Sequence, residues 1–144
     1  MIEVERRRTI LAPASEARAI LVDVEHLQRL MPRVEHVEVR GNTDKGARLA
    51  LDFKGGPIGT QRVEGEARIL EDGLRFVAVR PVQIDARWSV QERGGMTEVT
   101  ARLMIDPGGM LGPLGRFVPR ALIEQRLAKE LDASMDALEQ LLAR

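Results

Sequence analysis

The sequence predicts an α+β fold: a curved, seven-stranded antiparallel sheet wrapped around one long C-terminal helix, with two short helices after the first strand. Three observations predict it. Apolar side chains alternate with a period of two in a first segment and again in six later ones; Gly, Asn, Asp and Pro punctuate the six; and a helical apolar stripe runs from there to the C-terminus.

The first strand, residues 2–10, places Ile2, Val4, Arg6, Arg8 and Ile10 on one face, so two arginines share the inward phase with apolar residues. Pro13 ends it, and Ser15 and Glu16 open a short helix with Ala19, Ile20 and Val22 as its apolar stripe. Asp23 is placed to cap a second helix over 24–30, which buries Leu27, Leu30 and Met31 and stops at Pro32. Six strands follow, at 34–40, 46–53, 60–70, 74–80, 84–92 and 96–105, with turns at Gly41-Asn42, Gly55-Gly56-Pro57, Asp72-Gly73 and Gly94-Gly95. In the third of these, Val63, Gly65, Ala67 and Ile69 alternate with Arg62, Glu64, Glu66 and Arg68, so one sheet face is wet and the other small and apolar. A loop rich in Gly and Pro, residues 106–115, carries Met110, Leu111 and Leu114. The final helix has Phe117, Ala121, Glu124, Ala128, Leu131, Met135, Leu138 and Leu142 in its stripe.

Composition narrows the function classes. With 22 Lys plus Arg against 22 Asp plus Glu, the formal charge is zero, which removes bulk attraction to nucleic acid or an anionic bilayer. The total hides 19 Arg and 3 Lys. Without Cys there is no disulfide, thiolate metal site or thiol nucleophile. No apolar run approaches the ~20 residues of a bilayer span, and the charged first eight residues are unlike a signal peptide, so a cytoplasmic location is expected. One domain over residues 1–144 is expected, with no metal and no cofactor: His26 and His36 read as surface residues without ligand spacing, and no Ser, His and Asp converge. The segment KGGPIGT at 54–60 has phosphate-loop glycines but strand on both flanks, which makes it a hairpin turn.

The order of elements is a helix-grip arrangement, and its sequence resembles a known group. Residues 9–39, TILAPASEARAILVDVEHLQRLMPRVEHVEV, resemble the opening of START-like domains of the SRPBCC superfamily, which includes the polyketide cyclase/dehydrase and birch-pollen-allergen groups. Residues 87–106, RWSVQERGGMTEVTARLMID, resemble their final hairpin, and the Gly-rich loop and long helix complete the likeness over essentially the whole chain. Asp23, Val24 and Pro32 match a coenzyme Q-binding START-like branch; GGPIG at 55–59 and GGMLGPLG at 108–115 are similar to the G-subunit family of carbon monoxide dehydrogenase. The resemblance implies a hydrophobic cavity between sheet and helix that holds a lipid, isoprenoid or aromatic molecule. These motifs are turn and packing signals, which specify fold better than function.

The side chains leave two outcomes open. Inner rows of Ala, Gly, Val and Leu, with only Phe53, Phe76, Trp88 and Phe117 as aromatics, either collapse tightly or leave room for a guest. The expected apolar walls are Val63, Ala67, Trp88, Val99, Ala101 and Leu103 from the sheet, with Phe117, Ala128 and Leu131 from the helix. Glu124 falls in the apolar stripe, where a carboxylate needs a partner or a raised pKa, and Arg8, Arg6 and Arg80 are the available cations. The functional expectation is a charged pocket end of Glu124 with Arg8, and Arg80 beside them, orienting a ligand; the alternative is a structural ion pair.

Three function classes follow. The first is binding or carriage of a hydrophobic small molecule. The second is a cyclase or dehydratase using Glu124 as general acid/base and Arg8 or Arg80 to stabilise an enolate, which is weaker because there is no Tyr and no inward His. The third is a protein-interaction module with a vestigial cavity. Met110, Leu111 and Leu114 either gate the cavity and touch a membrane or protein, or cap the core.

Overall fold

A computed structural model describes residues 1–56, 59–80, 82–106 and 119–143. Among these, seven strands form one antiparallel sheet: β1 (Ile2–Ile10), β2 (Val34–Thr43), β3 (Gly46–Gly56), β4 (Gly59–Leu70), β5 (Gly73–Arg80), β6 (Gln83–Arg93) and β7 (Met96–Asp106), in the spatial order β1-β7-β6-β5-β4-β3-β2. Helices α1 (Ala14–Leu21) and α2 (Val24–Leu30) follow β1, and α3 (Arg120–Leu142) closes the chain. This is the helix-grip arrangement the sequence predicts.

Local chemistry accounts for the boundaries. The Asp23 side chain accepts from the Glu25 backbone N–H at 3.0 Å and caps α2. Helix α1 begins one residue before the expected Ser15, directly after Pro13, whose φ of −63° suits a helix entrance. It buries Ala17 and Leu21, four residues apart, rather than Ala19, Ile20 and Val22. Gly94 and Gly95, at φ of +58° and +83°, form the two-residue turn between β6 and β7, closed by the pairing of Arg93 with Met96. The strands flanking residues 54–60 pair antiparallel up to Gly56 opposite Gly59, as a hairpin requires.

The inner sheet face is apolar and the outer face carries ion pairs. Arg75 donates to both Asp85 carboxylate oxygens, at 3.0 and 2.7 Å, and Arg62 reaches Asp52 at 3.3 Å and also Glu38. Under the inner face, one apolar group gathers residues of β1, β4 to β7 and the three helices, among them Val63, Val99, Ala101, Leu131, Met135 and Leu138. A second gathers Leu27, Val34, Leu49, Leu51, Ala67 and Leu74. Thr97, fully buried, donates its hydroxyl to the Ala12 carbonyl at 2.5 Å and ties β7 to the chain entering α1. Packing places α3 against β1, α1 and α2.

Gly65 lets β4 and β5 sit as they do, because a Cβ there would lie 2.6 Å from both Phe76 Cζ and the Val77 carbonyl oxygen. Gly65→Ala is therefore expected to destabilise the fold by about 1–3 kcal/mol in denaturant titration. A second outcome concerns pH. The hydrogen bond from Arg75 holds the Asp85 carboxyl below its ordinary range against the opposing effect of burial. A depressed folded pKa adds stability above the unfolded value and loses it on acidification, so Asp85→Asn should be less stable than wild type at neutral pH. The gap should close as pH falls below the ordinary Asp range of about 4.

Candidate functional site

The two apolar groups do not merge. Between them lies a cavity of about 450 Å³, within the ~300–1,000 Å³ of small-molecule sites. Leu21, Ile84 and Leu131 wall it from the first group, and Leu27, Leu49, Leu51, Ala67 and Leu74 from the second. Phe53 and Phe76 pack against both, and Trp88, Ala86 and Leu103 complete the sheet side. Its lining is overwhelmingly hydrocarbon.

Exposed lining residues mark the mouth. They are Pro32 after α2, Lys54 near the end of β3, and Leu122 and Arg126 on the first turns of α3. One polar cluster stands there. Arg33 donates from Nη1 to Glu130 Oε1 at 3.0 Å and from Nη2 to the Lys54 carbonyl at 3.0 Å, while the Lys54 N–H donates to the Arg33 carbonyl at 2.7 Å. Arg126 Nε lies 3.9 Å from the same Glu130 oxygen. Ser134 turns its hydroxyl back to the Glu130 carbonyl at 3.0 Å.

The expected walls divide. Ala67, Trp88, Leu103 and Leu131 line the cavity. Val63, Val99, Ala101 and Ala128 are buried in the closely packed part under α3 and do not line it. Phe117 and the apolar loop residues Met110, Leu111 and Leu114 lie outside the described residues.

The expected charged end requires correction. Glu124 is half-buried, pairs with Arg120 at 3.0 Å one turn away, and does not line the cavity. It is in phase with the buried stripe, but α3 fully buries side chains only from Leu127 onward, and Leu122, Ile123 and Arg126 of its first turns line the cavity instead. Arg8 faces α3 as its strand phase requires, yet it meets Asp136 at 2.5 Å and Glu139 at 3.3 Å, with the Asp136 hydrogen bond raising its pKa further. Arg6 meets Asp132 at 3.3 Å. Arg80 is exposed: Gly65 pairs with Ala78 but Glu64 with Arg80, so Val79 is an extra residue that moves Arg80 onto the outward phase of Glu64. A one-residue bulge is invisible to an alternation count.

Strand alternation and the helical stripe do not single out Arg33, Arg126 or Glu130. A weak signal exists: Glu130 and Ser134 flank Leu127 and Leu131 at helical spacing, at the edge of the apolar stripe. Among the described residues no cluster of His, Asp and Glu could hold a metal ion, and no helix is long and apolar enough to cross a membrane.

The structure is thus a helix-grip sheet with an apolar cavity beside its long helix. The chain belongs to the family described as polyketide cyclase/dehydrase and lipid transport, whose model matches residues 1–143. No curated protein matches it. Solved structures share the fold at low identity. A Thermus thermophilus protein, TTHA0849, is similar with a TM-score of 0.83 at 20% identity, covering 99% of this chain and 97% of that one. A START superfamily protein from Mycobacterium smegmatis gives 0.79 at 16%, covering 98% and 97%. A STAR-related lipid transfer protein from Xanthomonas axonopodis gives 0.70 at 21%, covering 99% and 86%.

The placement of the two glutamates yields a paired outcome. Glu124→Leu should leave stability within about 0.5 kcal/mol of wild type, because it removes only a solvated surface pair. Glu130→Leu should cost about 1–2 kcal/mol by thermal denaturation, since it leaves Arg33 without its carboxylate at a partly buried position.

Proposed function

We propose that this protein binds and carries a hydrophobic small molecule, of the lipid, isoprenoid or aromatic kind, in the cavity between the sheet and α3. The observation that carries the reading is the cavity itself: about 450 Å³, open at one end, with apolar walls contributed by all three helices and by β3 to β7. Ala67 and Ala86 flank Phe76 on adjacent strands, and each puts only a methyl group into the cavity wall. Each methylene that a guest buries there is worth about 0.8 kcal/mol before the costs of association. Carriage suits a site with a wet mouth and a dry interior. The cyclase-type alternative through Glu124 finds no support in its position, because Glu124 does not line the cavity; Glu130 is the carboxylate that does, and Arg33 holds it.

Trp88, the chain's one tryptophan, lines the cavity and serves as a reporter. The neutral dye N-phenyl-1-naphthylamine should bind and accept excitation energy from Trp88. Ala67→Phe combined with Ala86→Phe should weaken its binding at least about tenfold without lowering the melting temperature, by occupying the space. Undiminished dye binding by the folded double variant would rule out the cavity as the binding site.

A further inference from the structure

The mouth of the cavity is charged unevenly. Among the described residues, Arg33, Lys54 and Arg126 line it there against one carboxylate, that of Glu130. Arg33 is fully committed, with one guanidinium nitrogen on Glu130 and another on the Lys54 carbonyl, so it clamps the α2–β2 connection to α3. Arg126 is different. Its side chain is 68% exposed, and its Nε stands 3.9 Å from Glu130 Oε1, beyond hydrogen-bonding distance. Glu130 already satisfies Arg33, which leaves the Arg126 guanidinium with donors to spare at the rim. Lys54 forms no ion pair among the described residues.

We infer that the molecule held in the cavity is an amphipath with an anionic head such as a carboxylate, its tail among the apolar walls and its head at the mouth beside Arg126. The inference rests on the binding reading above and names the chemistry of its ligand. A cationic head would meet an excess of like charge there, and a neutral head would leave the Arg126 donors facing water. An anion completes the cluster while staying at the solvated edge, where its desolvation is small. A volume of about 450 Å³ lies within the ~300–1,000 Å³ range of small-molecule sites, which suits a medium-length chain with a carboxylate.

Dodecanoate and dodecanol, matched in chain and differing in head charge, test the idea by displacing N-phenyl-1-naphthylamine from wild type, Arg126→Gln and Arg126→Glu at a pH where the acid is ionised. Wild type should prefer dodecanoate about tenfold. The preference should shrink towards unity in Arg126→Gln and reverse in Arg126→Glu, with dodecanol affinity unchanged throughout. Since Arg126 is exposed, both variants should fold. Equal wild-type affinity for acid and alcohol overturns the anionic-head inference while the cavity reading stands, and a preference that survives both substitutions overturns the placement of that head beside Arg126. Failure of the dye itself to bind wild type overturns the cavity reading and this inference with it.

Discussion

The seating of α3 on β1 governs the rest of the molecule. Ile2, Val4 and Ile10 of β1 belong to the same buried group as Leu131, Met135 and Leu138 of the helix, and burial of these side chains supplies the attraction. Between those apolar residues, Arg6 meets Asp132 and Arg8 meets Asp136 and Glu139, at acid positions four and three apart along one helix edge. Half-exposed ion pairs contribute little net stability, but their geometry favours one register of helix on strand over its neighbours. Two arginines in the inward phase of a strand thus act as locating pins rather than as part of a binding site.

A helix held along that side of the sheet leaves the far strands uncovered. The inner rows of β3, β4 and β5 line a cavity whose other walls come from α2 and α3. Close packing in the first group and open volume beside the second are therefore two consequences of one placement. Arg33 bridges the gap at the mouth, joining the end of α2, β3 and α3 through Glu130 and the Lys54 carbonyl.

The abundance of arginine acquires a location in the fold. On the outer sheet face, Arg75, Arg62, Arg40 and Arg102 each meet an acidic partner on another strand and Arg87 meets Asp72 in the β4–β5 turn, so the charges balance locally as well as in total. Solved structures at 16–21% identity share the fold, so many different side chains are compatible with it. The chemistry of the mouth is carried by a handful of residues and can differ among proteins that share the scaffold.

Alternation in the strands, the Asp23 cap, Pro32 and the Gly94-Gly95 turn are local signals, and by themselves they determined the element order, the wet and dry faces of the sheet, and membership in a helix-grip class. Local periodicity also identified Ala67, Trp88, Leu103 and Leu131 as inward-facing. It could not separate these from Val63, Val99, Ala101 and Ala128, because facing inward and facing a void differ only by what packs opposite, and that depends on where α3 lies. Tertiary structure alone decided the charged residues. The bulge at Val79 turned Arg80 outward, the incomplete burial of the first α3 turns left Glu124 half-exposed and paired with Arg120, and the acidic edge of the helix took Arg6 and Arg8. Arg33 and Glu130, 97 residues apart, met because a charge seeks whatever partner the folded chain brings within reach, and that distance in space is not written in any one segment.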